Sequence, residues 1–98
     1  MYARVTVNYF SPYRLEEAVT IAREQAVPAA HQQKGFKGFL LLVDRSTGKG
    51  ITITFWEEEA DCRVTGANSV YYREAIAKVV PMLCADPMVE DLEVVIQV

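Results

Sequence analysis

Gly35-Phe36-Lys37-Gly38-Phe39-Leu40-Leu41-Leu42-Val43-Asp44-Arg45-Ser46-Thr47-Gly48-Lys49-Gly50-Ile51-Thr52-Ile53-Thr54-Phe55-Trp56-Glu57-Glu58-Glu59 is the stretch that decides the fold of this chain. Two runs of aliphatic, β-branched and aromatic residues flank a segment of Asp, Ser and Gly, the composition of a β-hairpin. Phe36 to Val43 reads as one strand, Asp44 to Gly50 as the turn and Ile51 to Trp56 as the returning strand. Pairing Val43 with Ile51 places Phe39, Leu41, Ile53 and Phe55 on one face, expected to meet a partner. Leu40, Thr52, Thr54 and Trp56 then fall on the other, expected to look towards helices and a pocket. A slip of one residue exchanges the two faces. Glu57, Glu58 and Glu59 suit the positive end of a helix that starts there.

The pattern extends outward on both sides. Tyr2 to Tyr9 alternates, with Ala3, Val5, Val7 and Tyr9 on one side and Arg4, Thr6 and Asn8 on the other, the period of a strand. Ser11-Pro12 reads as a helix start, a cap followed by proline in the first turn. Leu15, Ala18, Val19, Ala22 and Ala26 form one apolar helical stripe. Pro28 is expected to kink or end that helix, and Gly35 to terminate it just beyond. After the hairpin, a helix carrying Ala60 and Val64 breaks at Gly66 and Asn68. A second helical piece carries Val70, Tyr71, Ile76, Ala77 and Val80. Pro81 and Pro87 bracket a loop, and Leu92 to Val98 reads as the last strand.

The order is β-α-β-β-α-β, an α+β, ferredoxin-like plan. Right-handed crossovers put both helices on one face of a four-stranded antiparallel sheet. Nothing in the chain covers the other face, yet the strands are apolar on both sides, unlike a sheet that faces water. A second copy packed on that face resolves the conflict, so a homodimer is expected.

With 98 residues, residues 1–98 are read as a single domain. The net charge of −3 is spread along the chain, which excludes the basic stripe of a nucleic-acid binder. A single histidine and two distant cysteines, Cys62 and Cys84, give no metal site. No leader and no membrane-length apolar run is recognisable, so the expectation is a cytoplasmic protein with reduced thiols and no membrane partner.

Gly35-Phe36-Lys37-Gly38, the strand Leu40-Leu41-Leu42-Val43-Asp44-Arg45 and Thr54-Phe55-Trp56-Glu57 resemble the dimeric α+β barrel superfamily, close to its antibiotic-biosynthesis-monooxygenase-like domains. Lys34 stands where those domains commonly have proline. The resemblance implies a dimeric α+β barrel with a pocket between sheet and helices. In the monooxygenases of that group an asparagine on the first strand and a tryptophan at this strand end face the pocket, and Asn8 and Trp56 match them in kind. The resemblance thus implies a cofactor-independent monooxygenase acting on an aromatic or polyketide-like molecule. The alternative is a non-catalytic dimeric small-ligand-binding or stress-associated domain on the same scaffold.

In the first reading Asn8 holds a reacting oxygen, Trp56 stacks on the substrate, and Tyr71 or Tyr72 assists proton transfer. Thr6, Thr52 and Thr54 are expected to add ligand-binding hydroxyls. The haem-degrading relatives hold iron with a histidine on the second helix. No histidine lies between Glu57 and Val98, which argues against haem. His31, near the end of the first helix, suits the negative end of its dipole. Gly48-Lys49-Gly50 is a turn without the spacing of a phosphate loop.

Overall fold

The computed structural model describes residues Met1–Val98. Its elements are β1 (Tyr2–Tyr9), α1 (Leu15–Ile21), α2 (Val27–His31), β2 (Phe36–Val43), β3 (Lys49–Trp56), α3 (Glu59–Val64), α4 (Val70–Ala77) and β4 (Met88–Glu93). The strands form one antiparallel sheet in the order β2-β3-β1-β4. This is the expected α+β ferredoxin-like plan, with the helices on one face.

The first helix starts where expected but without a side-chain cap. The Ser11 carbonyl accepts from Arg14 N–H at 2.9 Å, and Pro12 opens a short 3-10 turn. Pro28 does not end the helix. Residues Ala22–Ala26 form a π turn in which Val27 N–H reaches back to the Ala22 carbonyl, and α2 continues to His31. Proline lacks an N–H and its ring crowds the carbonyl four residues back. The widened turn just before Pro28 accommodates both defects.

The hairpin register differs from the expected one by one residue. Val43 pairs with Gly50, and Leu42 with Ile51. The turn is the cause. Asp44 Oδ1 accepts from Ser46 N–H and Oγ, Asp44 N–H reaches the Lys49 carbonyl, and Gly48 takes the left-handed conformation at φ 82°. These bonds start β3 at Lys49 rather than Ile51. The slip exchanges the faces of β2. Phe39 and Leu41 now point towards the helices with Thr52 and Thr54, whereas Leu40 and Leu42 lie outside, about half exposed at 47% and 51%. The outer face therefore consists of Leu40, Leu42, Ile51, Ile53, Val5 and Val7 in register.

The last strand is also displaced. β4 covers Met88–Glu93, paired with β1 from Val7↔Met88 to Tyr2↔Glu93, not Leu92 to Val98. The register pairs Glu93 with Tyr2, the first residue of β1, so the chain beyond Glu93 runs past the end of the ladder. One further bond, Val94 N–H to the Met1 carbonyl at 2.9 Å, follows the ladder. Val95, Ile96 and Val98 are then exposed.

α3 buries Asp61 and Cys62, with Thr65 just after it, while the expected Ala60 and Val64 face outward. A capping box explains the rotation: Glu58 and Asp61 exchange side-chain to backbone bonds, which turns Asp61 inward. Gly35 adopts φ 81° directly over Asp61, and its carbonyl accepts from Glu57 N–H at 2.7 Å. Two packed regions result. Phe10, Leu15, Ala18 and Met82 form an apolar cluster at one end of the sheet. Trp56 and Cys62, both fully buried, fill the other.

Candidate functional site

Between those two ends the helical layer stands off the sheet and leaves a cavity of about 100 Å³. Its floor is built by alternation. Arg4, Thr6 and Asn8 project from one side of β1, because residues two apart share a face. Thr52 and Thr54 lie beside them, since Thr6 pairs with Thr52 and Arg4 with Thr54. Phe39 and Leu41 of β2 complete the floor. Ala18, Ile21 and Ala22 of the first helical run and Tyr71, Tyr72 and Ile76 of α4 make the roof. Six of the seven expected site residues (Asn8, Tyr71, Tyr72, Thr6, Thr52 and Thr54) therefore line one cavity.

Trp56 does not line it. Its indole is fully buried beneath one end, with Nε1–H donating to Thr54 Oγ1 at 2.9 Å. The ring meets Phe36 and Tyr71 edge-on, at centroid distances of 5.8 and 6.2 Å. It holds two residues that do reach the cavity, Thr54 and Tyr71. The expectation that Trp56 would present a flat wall to a ligand has no support in this geometry, because Tyr71 occupies that position.

Three polar atoms of residues in the roof and floor are buried without a hydrogen-bond partner: Asn8 Oδ1, the Tyr72 hydroxyl and Arg4 Nε. Asn8 is only 4% exposed. A buried polar group without a hydrogen bond costs about 1–3 kcal/mol, so such atoms call for an explanation. Burial raises the Tyr71 and Tyr72 phenols above their ordinary value, so both keep their protons at neutral pH. The Thr6 hydroxyl pulls Tyr72 the other way, although the two groups do not meet hydrogen-bond geometry. Each phenol is thus a donor, not a base.

The sequence reading passed over Arg4. It is 3% exposed, and its Nη2 donates to the Cys62 carbonyl and, at 3.1 Å, to Thr65 Oγ1. The guanidinium lies over the Trp56 ring at 5.6 Å and the Tyr72 ring at 5.9 Å. Asp91 Oδ1 is 3.2 Å from Nε but off the N–H direction, so the two form an ion pair without a hydrogen bond. The signal was present in the sequence, since Arg4 alternates with Thr6 and Asn8 on the polar side of β1. Nothing in the sequence told that this side would be covered so completely.

Arg4 also lies against Cys62 Sγ, at 3.7 Å. Burial nevertheless dominates and pushes that thiol from 9.0 to about 11. Cys62 is therefore no nucleophile, whereas Cys84 is exposed. One of the two thiols should react with Ellman's reagent in the native protein at pH 8, and both after unfolding. A raised folded value means that the native chain keeps a proton that the unfolded chain releases above pH 9. Stability should fall as pH rises from 9 to 11, by roughly 2–3 kcal/mol from this thiol. A Cys62→Ala variant that lost stability just as steeply over that range would refute this assignment.

A groove of about 310 Å³ borders the cavity, lined by Val19, Val27, Val43, Arg23 and Arg45. It shares Ala22, Phe39 and Leu41 with the cavity, and these three form the partition. No grouping of His, Cys, Asp and Glu could hold a metal ion. No helix is long and apolar enough to cross a membrane.

Neither a family model nor a curated protein matches the sequence. Solved structures do match its shape. An antibiotic biosynthesis monooxygenase superposes with a TM-score of 0.75 at 17% identity, covering 97% of this chain and 99% of that one. A Streptomyces coelicolor monooxygenase in complex with the ligand nanaomycin D gives 0.77 at 20% identity, covering 99% of this chain and 89% of that one. A Nitrosomonas europaea protein of unknown function gives 0.74 at 19% identity, with 98% and 90% covered. The chain has the fold of the antibiotic biosynthesis monooxygenase structures over nearly its whole length, as the sequence resemblance implied.

Proposed function

We propose that the cavity binds a small aromatic molecule and that the protein is a cofactor-independent monooxygenase of that ligand. The observation that carries this reading is the set of unpartnered buried polar atoms, Asn8 Oδ1, the Tyr72 hydroxyl and Arg4 Nε, in a mostly apolar, ring-lined space. A concave apolar site with a few oriented polar groups is the usual form of a small-ligand site. The cavity alone holds about a single ring. With Phe39 turned aside, it joins the neighbouring groove and approaches the 300–1,000 Å³ typical of ligand pockets. The nanaomycin D complex of the Streptomyces coelicolor structure supports the ligand class.

The chemistry would run on the substrate's own electrons. An electron-rich CH₂ between aromatic rings loses a proton to solvent water, and the carbanion passes its electrons to dioxygen, joining it as a peroxide that takes a proton back to become a hydroperoxide. Loss of water then leaves a carbonyl, so one oxygen atom enters the product and the other leaves as water. In this scheme Asn8 holds a substrate oxygen, its Oδ1 accepting from a hydroxyl or its Nδ2 donating to a carbonyl. Tyr72, assisted by Tyr71, donates a hydrogen bond to the developing anion, and Thr6, Thr52 and Thr54 position the rings. Trp56 acts as a positioning residue behind Tyr71.

Anthrone has such a CH₂ and serves as the probe. We expect enzyme-dependent uptake of one O₂ per anthraquinone formed, with Asn8→Ala and Tyr72→Phe each lowering the rate about 10–100-fold. Binding of anthrone without uptake above the buffer's own autoxidation would favour the second reading, a non-catalytic binding domain. That reading draws on the small volume of the cavity and on the buried Trp56.

We further propose that the protein is a homodimer joined through the outer sheet face, and a cytoplasmic one, since its unpaired thiols suit a reducing compartment. The exposed Leu40 and Leu42 favour a second copy over water, as do the unpaired apolar residues Val95, Ile96 and Val98.

A further inference from the structure

We propose that Arg4 makes the cavity selective for ring ligands that carry an ionised oxygen (phenolates, enolates and hydroxyquinone anions), with that oxygen lying between the guanidinium and the Tyr72 hydroxyl. The inference rests on the reading of the cavity as an aromatic-ligand site and names the charge of what it takes.

The guanidinium has two edges with different duties. Nη2 is committed to the Cys62 carbonyl and to Thr65 Oγ1, which ties α3 to β1. Nη1 and Nε make no hydrogen bond, although a guanidinium offers five N–H donors and this one is 3% exposed. Asp91, the ion-pair partner on β4, is 41% exposed. Water therefore screens much of its compensation. Arg4 nonetheless lines the cavity, and its Nη1 remains free to donate.

The lining repeats the same sign. Arg4 and the exposed Lys78 are its charged residues, and no carboxylate lines it. The Tyr72 phenol sits 5.9 Å from the guanidinium, measured to its ring, and its hydroxyl lacks a partner. A neutral carbonyl offers these donors only the weaker bonds of an uncharged acceptor. An oxyanion satisfies both at once, through the charge-assisted bonds that are the strongest of their kind. Asn8 stands four residues along β1, about 13 Å away at the usual rise per residue, and so serves the far end of the ligand.

The test compares two probes of nearly equal size, 2-hydroxy-1,4-naphthoquinone, an anion at neutral pH, and 2-methyl-1,4-naphthoquinone, which is neutral. Affinities come from calorimetry and from quenching of the sole tryptophan, Trp56. We expect the anion to bind at least tenfold more tightly. Arg4→Gln should bring the ratio close to one, Arg4→Lys should retain part of it, and Lys78→Ala, at an exposed and screened position, should lower it by no more than about twofold. Equal affinities for wild-type protein would overturn the Arg4 assignment and leave the aromatic site standing. Loss of the preference in Lys78→Ala would also overturn it, whether or not Arg4→Gln folds. Failure of both quinones to bind would overturn the aromatic site and this inference together.

Discussion

Ile53→Glu is expected to break the proposed homodimer, lowering the mass in light scattering at micromolar concentration from twice 11.0 kDa to 11.0 kDa. Ile53 occupies the middle of the outer face, paired with Val5 on β1 and with Leu40 on β2. In a two-fold dimer each copy presents the same patch, so one substitution places two carboxylates in the interface. A charge buried there without a partner costs several kcal/mol, enough to dissociate an ordinary interface of about 800 Å² per subunit. In a monomer Ile53 is only partly buried, so the carboxylate reaches water and the cost to the fold stays below that of a core substitution. The variant should therefore stay folded by circular dichroism while its mass halves. A wild-type protein that is already monomeric at this concentration would refute the interface.

Gly48→Ala will lower the stability of the fold by at least about 3 kcal/mol, or roughly 12 °C or more in melting temperature for a domain this size. Gly48 has φ 82°, a conformation that costs an alanine about 1–2 kcal/mol. A Cβ there would also stand 2.1 Å from the Phe10 carbonyl oxygen and 3.4 Å from Pro12 Cδ. The obstructing atom belongs to the backbone, and Phe10 N–H is itself bonded to the Gly48 carbonyl at 2.8 Å, so the two segments cannot separate cheaply. Phe10 closes one end of the cavity, so loosening this contact should also weaken ligand binding. Gly48→Asn separates the causes. Asparagine tolerates the left-handed conformation but brings the same Cβ, and should be nearly as damaging. A well-tolerated asparagine would mean that the clash is relieved and only the dihedral matters.

These two positions also show how far the sequence could be read. The hairpin, the element order and the helix face follow from patterns of period two and period four, and these survive small errors in boundary. The register does not. It depends on Asp44 bonding to Ser46 and Thr47 and on Gly48 turning left-handed, and those choices move β3 by one residue. That single step carried Phe39 and Leu41 into the cavity and Leu40 and Leu42 out of it. β4 was misplaced for a similar reason. Leu92 to Val98 alternates better than Met88 to Glu93, but pairing needs a neighbour, and β1 begins at Tyr2. Pro28 was expected to kink or end the helix; it does not end it, and the regular α-helix is instead interrupted just upstream by a π turn that propensity does not show.

The site was legible in part for the same physical reason. Thr6 and Asn8 alternate on one strand, Thr52 and Thr54 on its neighbour, and pairing two such strands must bring them together. Tyr71 and Tyr72 could be placed on the covering helix but not oriented. Trp56 shares the face of Thr54, yet it lies at the strand end, where Phe36, Tyr71 and Arg4 enclose it. Arg4 was hidden by its type. A lone arginine on a strand usually faces solvent. Only the closure of α3 through the Cys62 carbonyl and Thr65 buries this one.

The most direct test of the central claim is a crystal structure of the protein soaked with 2-hydroxy-1,4-naphthoquinone. The account predicts the ring between Phe39 and Leu41 on the sheet and Tyr71 and Tyr72 above. An oxygen should lie within hydrogen-bond distance of Arg4 and the Tyr72 hydroxyl, with Asn8 facing the opposite end. A quinone bound only on the outer surface, with the space beside Asn8 and Tyr72 unchanged, would contradict it.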